Sequence, residues 1–159
     1  MLQHRLLEQL RRAPQGRIIN VSSGAHKTGS IHWEDPHLTR SFGVWRAYSQ
    51  SKLANILFTR ELARRVPAAE VIANTMHPGV VATDLLFNGW APLRLLKPFI
   101  RTPAQGARTA VHLAASPEVA GVTGEYFRDE RPVRPWSAAL DDGAARRLWE
   151  MSAEMTGLR

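Results

Sequence analysis

Arg17-Ile18-Ile19-Asn20-Val21-Ser22-Ser23 is a short, largely apolar run that ends abruptly in polar residues. A long helical pattern follows from about Trp45 to Val66, and Val71-Ile72-Ala73-Asn74-Thr75-Met76 then makes a second run of the same kind. Strand, helix and strand at these lengths predict a right-handed crossover between neighbouring parallel strands. Within the helix, Leu53, Ile56, Leu57 and Leu62 recur at helical spacing, and Arg60, Glu61, Arg64 and Arg65 are expected to face water. Pro67 stops it.

The same reading extends outward. Leu2, Leu6, Leu7 and Leu10 predict an amphipathic helix fraying by Pro14-Gln15-Gly16. Residues 24–40 are polar and turn-rich, a loop. Pro103 suits the first turn of a helix running to about Ala115. Gly124-Glu125-Tyr126-Phe127 predicts a third strand, and residues 141–156, with Leu148, Trp149, Met151 and Met155, a final helix. The expectation is an α/β fold with a parallel sheet and flanking helices, one unit over residues 1–159, without internal repeats.

Composition narrows the classes. The 159 residues are 44% hydrophobic and 22% charged, ordinary for a globular domain, and contain no cysteine, which removes disulfides, thiol nucleophiles and cysteine-based zinc sites. A net charge of +7 can attract nucleic acid or a phosphate, but the arginines are scattered along helical stretches without interleaved aromatics. A solvated surface is the expectation, with no nucleic-acid partner. No apolar run reaches the roughly 20 residues of a membrane-spanning helix, and the first residues lack a secretory signal's apolar block. A cytoplasmic chain is expected.

Three groups could carry chemistry. Tyr48 and Lys52 stand four residues apart, on one face of the helix. An ammonium beside a phenol favours the phenolate, which suits the pair to give and take a proton. Ser23 follows the first strand, where ligands gather in parallel sheets, and its hydroxyl could hold a substrate oxygen. Taken alone it reads as a helix cap or turn serine; Ser22 alternates to the opposite side and is the lesser candidate. His77-Pro78-Gly79 ends the second strand, Gly79 allowing close backbone approach to a flat ligand, with Thr83 offering a hydroxyl nearby. An ordinary strand-to-loop turn is the plainer alternative, and His77 reads as structural. The apolar stretch from Leu85 to Ile100 reads as a flap beside a lipophilic pocket, as a packing element, or as a membrane-surface patch.

In combination these segments resemble the carboxyl-terminal part of the short-chain dehydrogenase/reductase family, in the branch that includes retinol dehydrogenases. The matching text is Arg17 to His26, then Ala47-Tyr48-Ser49-Gln50-Ser51-Lys52-Leu53-Ala54-Asn55, then His77-Pro78-Gly79-Val80-Val81-Ala82-Thr83-Asp84-Leu85. Thr102 to Ala107 and Gly124 to Phe127 add to it. The resemblance implies a partial Rossmann-like three-layer fold retaining the last three strands. It implies Tyr48 as catalytic acid/base, Lys52 supporting the phenolate and holding the nicotinamide ribose, and Ser23 orienting the substrate oxygen. Pro78, Gly79, Val81 and Thr83 would border the nicotinamide of NAD or NADP, and the substrate would be an apolar alcohol or carbonyl.

The family's Thr-Gly-x-x-x-Gly-x-Gly turn, Asn-Asn-Ala-Gly segment and helical asparagine do not occur in this sequence. The expectation is therefore a form lacking the dinucleotide-binding half and inactive by itself, that half being supplied elsewhere, cut away, or hidden by a misplaced start. A homodimer would otherwise cover the exposed edge of the first strand. The competing expectation is a non-catalytic interaction or regulatory fragment.

Overall fold

The computed structural model describes residues 2–80 and 101–158. Three parallel strands and a short antiparallel one form its sheet. β1 (Gly16–Val21) pairs with β2 (Val71–His77), and β2 with β3 (Tyr126–Arg128), all parallel; β4 (Arg131–Pro132) returns antiparallel to β3. The register sets Gly16 against Val71 and Val21 against Met76. Among the described residues, four α-helices surround the sheet: α1 (Leu2–Arg11), α2 (Val44–Arg65), α3 (Pro103–Ala115) and α4 (Asp142–Met155).

The layers follow from side-chain alternation along β2. Val71 and Ala73 join Ile18, Leu62 and Val66 on the face covered by α2, while Ile72 and Met76 pack with Leu113, Val119 and Phe127 on the face covered by α3. β2 is therefore buried from Val71 to Met76, as a central parallel strand must be. Its buried amide, Asn74, is satisfied internally. Asn74 donates through Nδ2 to the Val122 carbonyl and accepts the Glu125 N–H, standing in for ladder bonds before β3 begins. Leu53, Ile56 and Leu57 turn the rest of α2 toward Tyr126, Ala139 and α4. Each such fully buried leucine contributes roughly 1.5–3 kcal/mol.

Helix ends match their sequence signals. Thr102 and Gln105 form a reciprocal capping box at α3 with Pro103 in the first turn, and Asp141 caps α4 by accepting the Ala144 N–H. Three expectations change. Glu61 does not face water: it is 5% exposed, held by Arg64 and Arg65 at 2.7 Å each. The predicted loop after β1 contains a short 3-10 turn over Gly24–Thr28. β4 was too short to announce itself, and it adds an antiparallel rung to the expected parallel sheet. Val81, Thr83 and the apolar stretch from Leu85 to Ile100 lie outside the described residues.

Candidate active site

The carboxyl ends of β1 and β2 and the first turns of α2 converge. Tyr48, one turn into α2, is 42% exposed. The Lys52 ammonium sits 5.4 Å from the centre of its ring, as the four-residue spacing requires. Lys52 Nζ also donates to the Val21 carbonyl at 3.3 Å, and Asn55 Nδ2 reaches the same oxygen at 3.0 Å. The last carbonyl of β1 thus anchors the ammonium against the strand end. Ser22, 2% exposed, donates from Oγ to the Lys52 carbonyl at 2.7 Å, tying strand to helix from its inward side.

Ser23 lies just past the end of β1 and is half-buried. It caps the 3-10 turn, its Oγ accepting the Ala25 N–H at 3.3 Å, so the cap reading is correct as far as it goes. That bond uses the oxygen as acceptor and leaves the hydroxyl hydrogen to be donated. Tyr48 and Lys52 meet directly; Ser23 reaches them through the backbone of Val21 and Ser22, with no hydrogen bond to Tyr48.

The loop between β1 and α2 is clamped beside this point. Gly29 lies so close to the Ser49 carbonyl that a Cβ would collide with it. Gln50, 9% exposed, accepts the His32 N–H and donates to the Pro36 carbonyl, both at 2.8 Å. The sequence reading passed over Gln50. Its signal is that residues 50, 53 and 57 share one helical face, so an amide among leucines must be buried and bonded.

At the end of β2, His77, Pro78 and Gly79 are half-buried. Gly79 adopts φ +82°, and a Cβ there would meet the Arg101 side chain at 2.7 Å, so glycine serves both conformation and contact. Burial lowers the His77 pKa, and the cations Arg128 and Arg101 lower it further. These effects favour the neutral imidazole, and His77 forms one wall of the crevice: its Nε2 is the nearest atom to a Cβ placed on Gly24, at 3.7 Å. Tyr126, the other tyrosine, is a different kind of residue. Burial pushes its phenol up to about 12, and it serves the core.

A cavity of about 740 Å³ lies elsewhere, near the carboxyl end of α2, lined by Leu7, Leu62, Val66 and Trp149. It contains none of the candidate residues. At the strand ends Tyr48 and Lys52 meet, two side chains chemically able to exchange a proton, whereas the cavity offers apolar walls and arginines already paired or stacked. Among the described residues, no helix is long and apolar enough to cross a membrane.

Known proteins resemble this chain in sequence and in fold. The family described as short chain dehydrogenase matches residues 1–91. Human retinol dehydrogenase 14 is 43% identical over 166 residues, an alignment covering 99% of this chain and 49% of that relative. A crystal structure of a protein from Mycobacterium paratuberculosis superposes with a TM-score of 0.71 at 32% identity, over 96% of this chain and 54% of that one. A 3-oxoacyl-[acyl-carrier protein] reductase from Brucella melitensis with bound NAD superposes with a TM-score of 0.54 at 28% identity, over 79% of this chain and 44% of that one. The chain spans about half the length of the curated relatives it matches.

Proposed function

The chain belongs to the short chain dehydrogenase family, in its retinol-dehydrogenase-like branch, and from that premise we propose that it supplies the proton-transfer side of a nicotinamide-dependent oxidoreduction between an apolar alcohol and its carbonyl. The observation that carries this reading is the Lys52 ammonium set 5.4 Å from the ring of an exposed tyrosine, at the mouth of a parallel sheet.

The residues fit one half of a nicotinamide dinucleotide. Lys52 spends one of its three hydrogens on the Val21 carbonyl and keeps two for the hydroxyls of a ribose. Pro78 and Gly79 offer a flat backbone edge to a nicotinamide ring, and Val81 and Thr83 complete that border in our reading. The adenine and pyrophosphate half does not fit: the sequence contains no glycine-rich turn opening a helix, the arrangement that cradles phosphates. We assign no preference between NAD and NADP.

When bound, the nicotinamide supplies or removes hydride at the substrate carbon. The chain's residues manage the oxygen. In carbonyl reduction Tyr48 gives its phenolic proton to the substrate oxygen, and Ser23 donates a hydrogen bond to that oxygen as charge gathers on it. Lys52 stabilises the phenolate left behind. Alcohol oxidation runs the same transfers backward. A retinol-like or other lipophilic alcohol is the substrate class we favour, from the name of the curated relative.

A second reading has its own observation. β1 has a neighbour on one side only among the described residues, and Val21 on it is 47% exposed. A strand edge of this kind accepts a partner, so the chain could act by pairing with a second copy or with a dinucleotide-binding half.

The test has two arms. Titrating the 159-residue chain with NADH and NADPH should show binding too weak to saturate at millimolar concentration; saturable micromolar binding would overturn the division of labour. Joining the chain behind the amino-terminal half of human retinol dehydrogenase 14 should give turnover of an apolar aldehyde. A folded joined enzyme that binds cofactor yet reduces no carbonyl would favour the second reading.

A further inference from the structure

His26 is 1% exposed, and both of its ring nitrogens are engaged. Nδ1 lies 2.6 Å from the Ser23 carbonyl oxygen, and Nε2 lies 3.2 Å from the backbone nitrogen of Trp136. A backbone N–H can only donate, so Nε2 must carry the lone pair and Nδ1 the hydrogen. The tautomer is thereby fixed without reference to any reaction. The imidazole also stands edge-on to the Tyr126 ring, with centroids 5.1 Å apart. Burial lowers its pKa more than the Ser23 carbonyl raises it, in keeping with a neutral ring.

The consequences converge on Ser23. Its carbonyl accepts two hydrogens from His26, from Nδ1 and from the backbone N–H at 3.1 Å, while its Oγ accepts from Ala25. On the far side, Trp136 opens the turn Ser137–Leu140, whose Ala139 is fully buried against Leu57 and Ala145. His26 therefore bonds both the serine loop and the carboxyl-terminal segment that leads into α4.

We infer that His26 is a positioning residue: locked as the Nδ1–H tautomer, it ties the backbone of Ser23 to the Trp136 segment and so fixes where the serine hydroxyl stands. The inference takes Ser23 as the donor to substrate oxygen from the function proposed above, but its geometry does not depend on turnover. It makes the segment around Trp136 part of the site's framework, although that segment carries no catalytic group.

The experiment uses the isotopically labelled 159-residue chain and two variants. Asparagine presents a donor near the position of Nδ1 and no acceptor near Nε2; glutamine does the reverse. Imidazole nitrogen NMR should show His26 as the neutral Nδ1–H tautomer at pH 7. In His26→Asn the Ser23 carbonyl carbon should keep its chemical shift while exchange of the Trp136 amide accelerates about tenfold or more. In His26→Gln the Trp136 amide should stay protected and the Ser23 carbonyl shift should move. An Nε2–H tautomer in the native chain would overturn the inference even if both variants failed to fold. Equal disturbance of both sites by both variants would reduce His26 to packing and overturn it too. Neither readout needs catalysis, so the oxidoreductase reading stands or falls separately.

Discussion

The two ends of α2 use charge in opposite ways. At its carboxyl end Glu61 is buried under Arg64 and Arg65, Arg64 also binds Asp142, and Arg65 stacks on Trp149 at 4.9 Å. Burial raises the Glu61 pKa, but the hydrogen bonds from the two arginines outweigh it and leave the carboxyl below its ordinary range. At the amino end Tyr48 is exposed, and Lys52 has one carbonyl partner for three hydrogens. One end is knit together by ion pairs, with Arg60 Nε the buried side-chain nitrogen left without a hydrogen-bond partner among the described residues, and serves stability. The other keeps donors in reserve, which is what a site for passing ligands requires.

The sharpest way to break this contrast is Tyr48→Phe. In the joined enzyme turnover should fall about a thousandfold, within the range for losing a general acid, while stability changes by less than about 0.5 kcal/mol. Steady-state rates and urea unfolding measure the two sides. A stability loss without a rate loss would place Tyr48 with the structural residues. Lys52→Met comes next. Turnover should drop roughly 10–100-fold with a raised KM for the nicotinamide, since the ammonium is assigned to both phenolate and ribose.

Glu61→Ala should show the mirror image. It removes a buried carboxylate from two arginines that remain partly solvated, so unfolding should become easier by about 1–3 kcal/mol. The rate per folded molecule should stay within about twofold, because the change leaves the amino end of the helix alone. Unfolding curves and active-site-normalised rates check it.

The smallest effect is with pH. His26 and His77 both have folded-state pKa values below the ordinary 6.5, so the unfolded chain binds protons more readily. Stability should be fully present above pH 6.5 and decline as pH falls through the folded-state values. The lowered carboxyls of Glu61, Asp129 and Asp142 add a second loss at more acidic pH, as they are protonated. His77→Gln should blunt the first decline and leave the second in place, as read by chemical denaturation across pH.

Much of this contrast was legible in the sequence, but unevenly. The bounds of α2 and α3 and the place of β2 followed from periodicity and proline positions, because local signals and packing agree there. The Tyr48–Lys52 contact followed from helical spacing alone. Glu61 was misread because a carboxylate between Arg60 and Arg64 resembles a solvated face; it lies buried against Arg64 and Arg65, in a cluster that Asp142 of α4 joins through Arg60 and Arg64. His26 could not be read at all. Its second partner is 110 residues away in the chain, and nothing local marks it as buried. Ser23 lay between these cases: the cap or turn reading followed from its place after the strand, while the partner its oxygen accepts needed coordinates.

The source of the hydrogens tests the central claim most directly. The joined enzyme should reduce an apolar aldehyde with nicotinamide cofactor deuterated at the transferable position, in ordinary water and then with unlabelled cofactor in heavy water. If Tyr48 handles the proton and the nicotinamide the hydride, the product alcohol carries one deuterium on carbon in the first experiment and none on carbon in the second. Deuterium on carbon from the solvent, or none from the cofactor, would contradict the assignment of this end of α2 to proton transfer in a nicotinamide-dependent reaction.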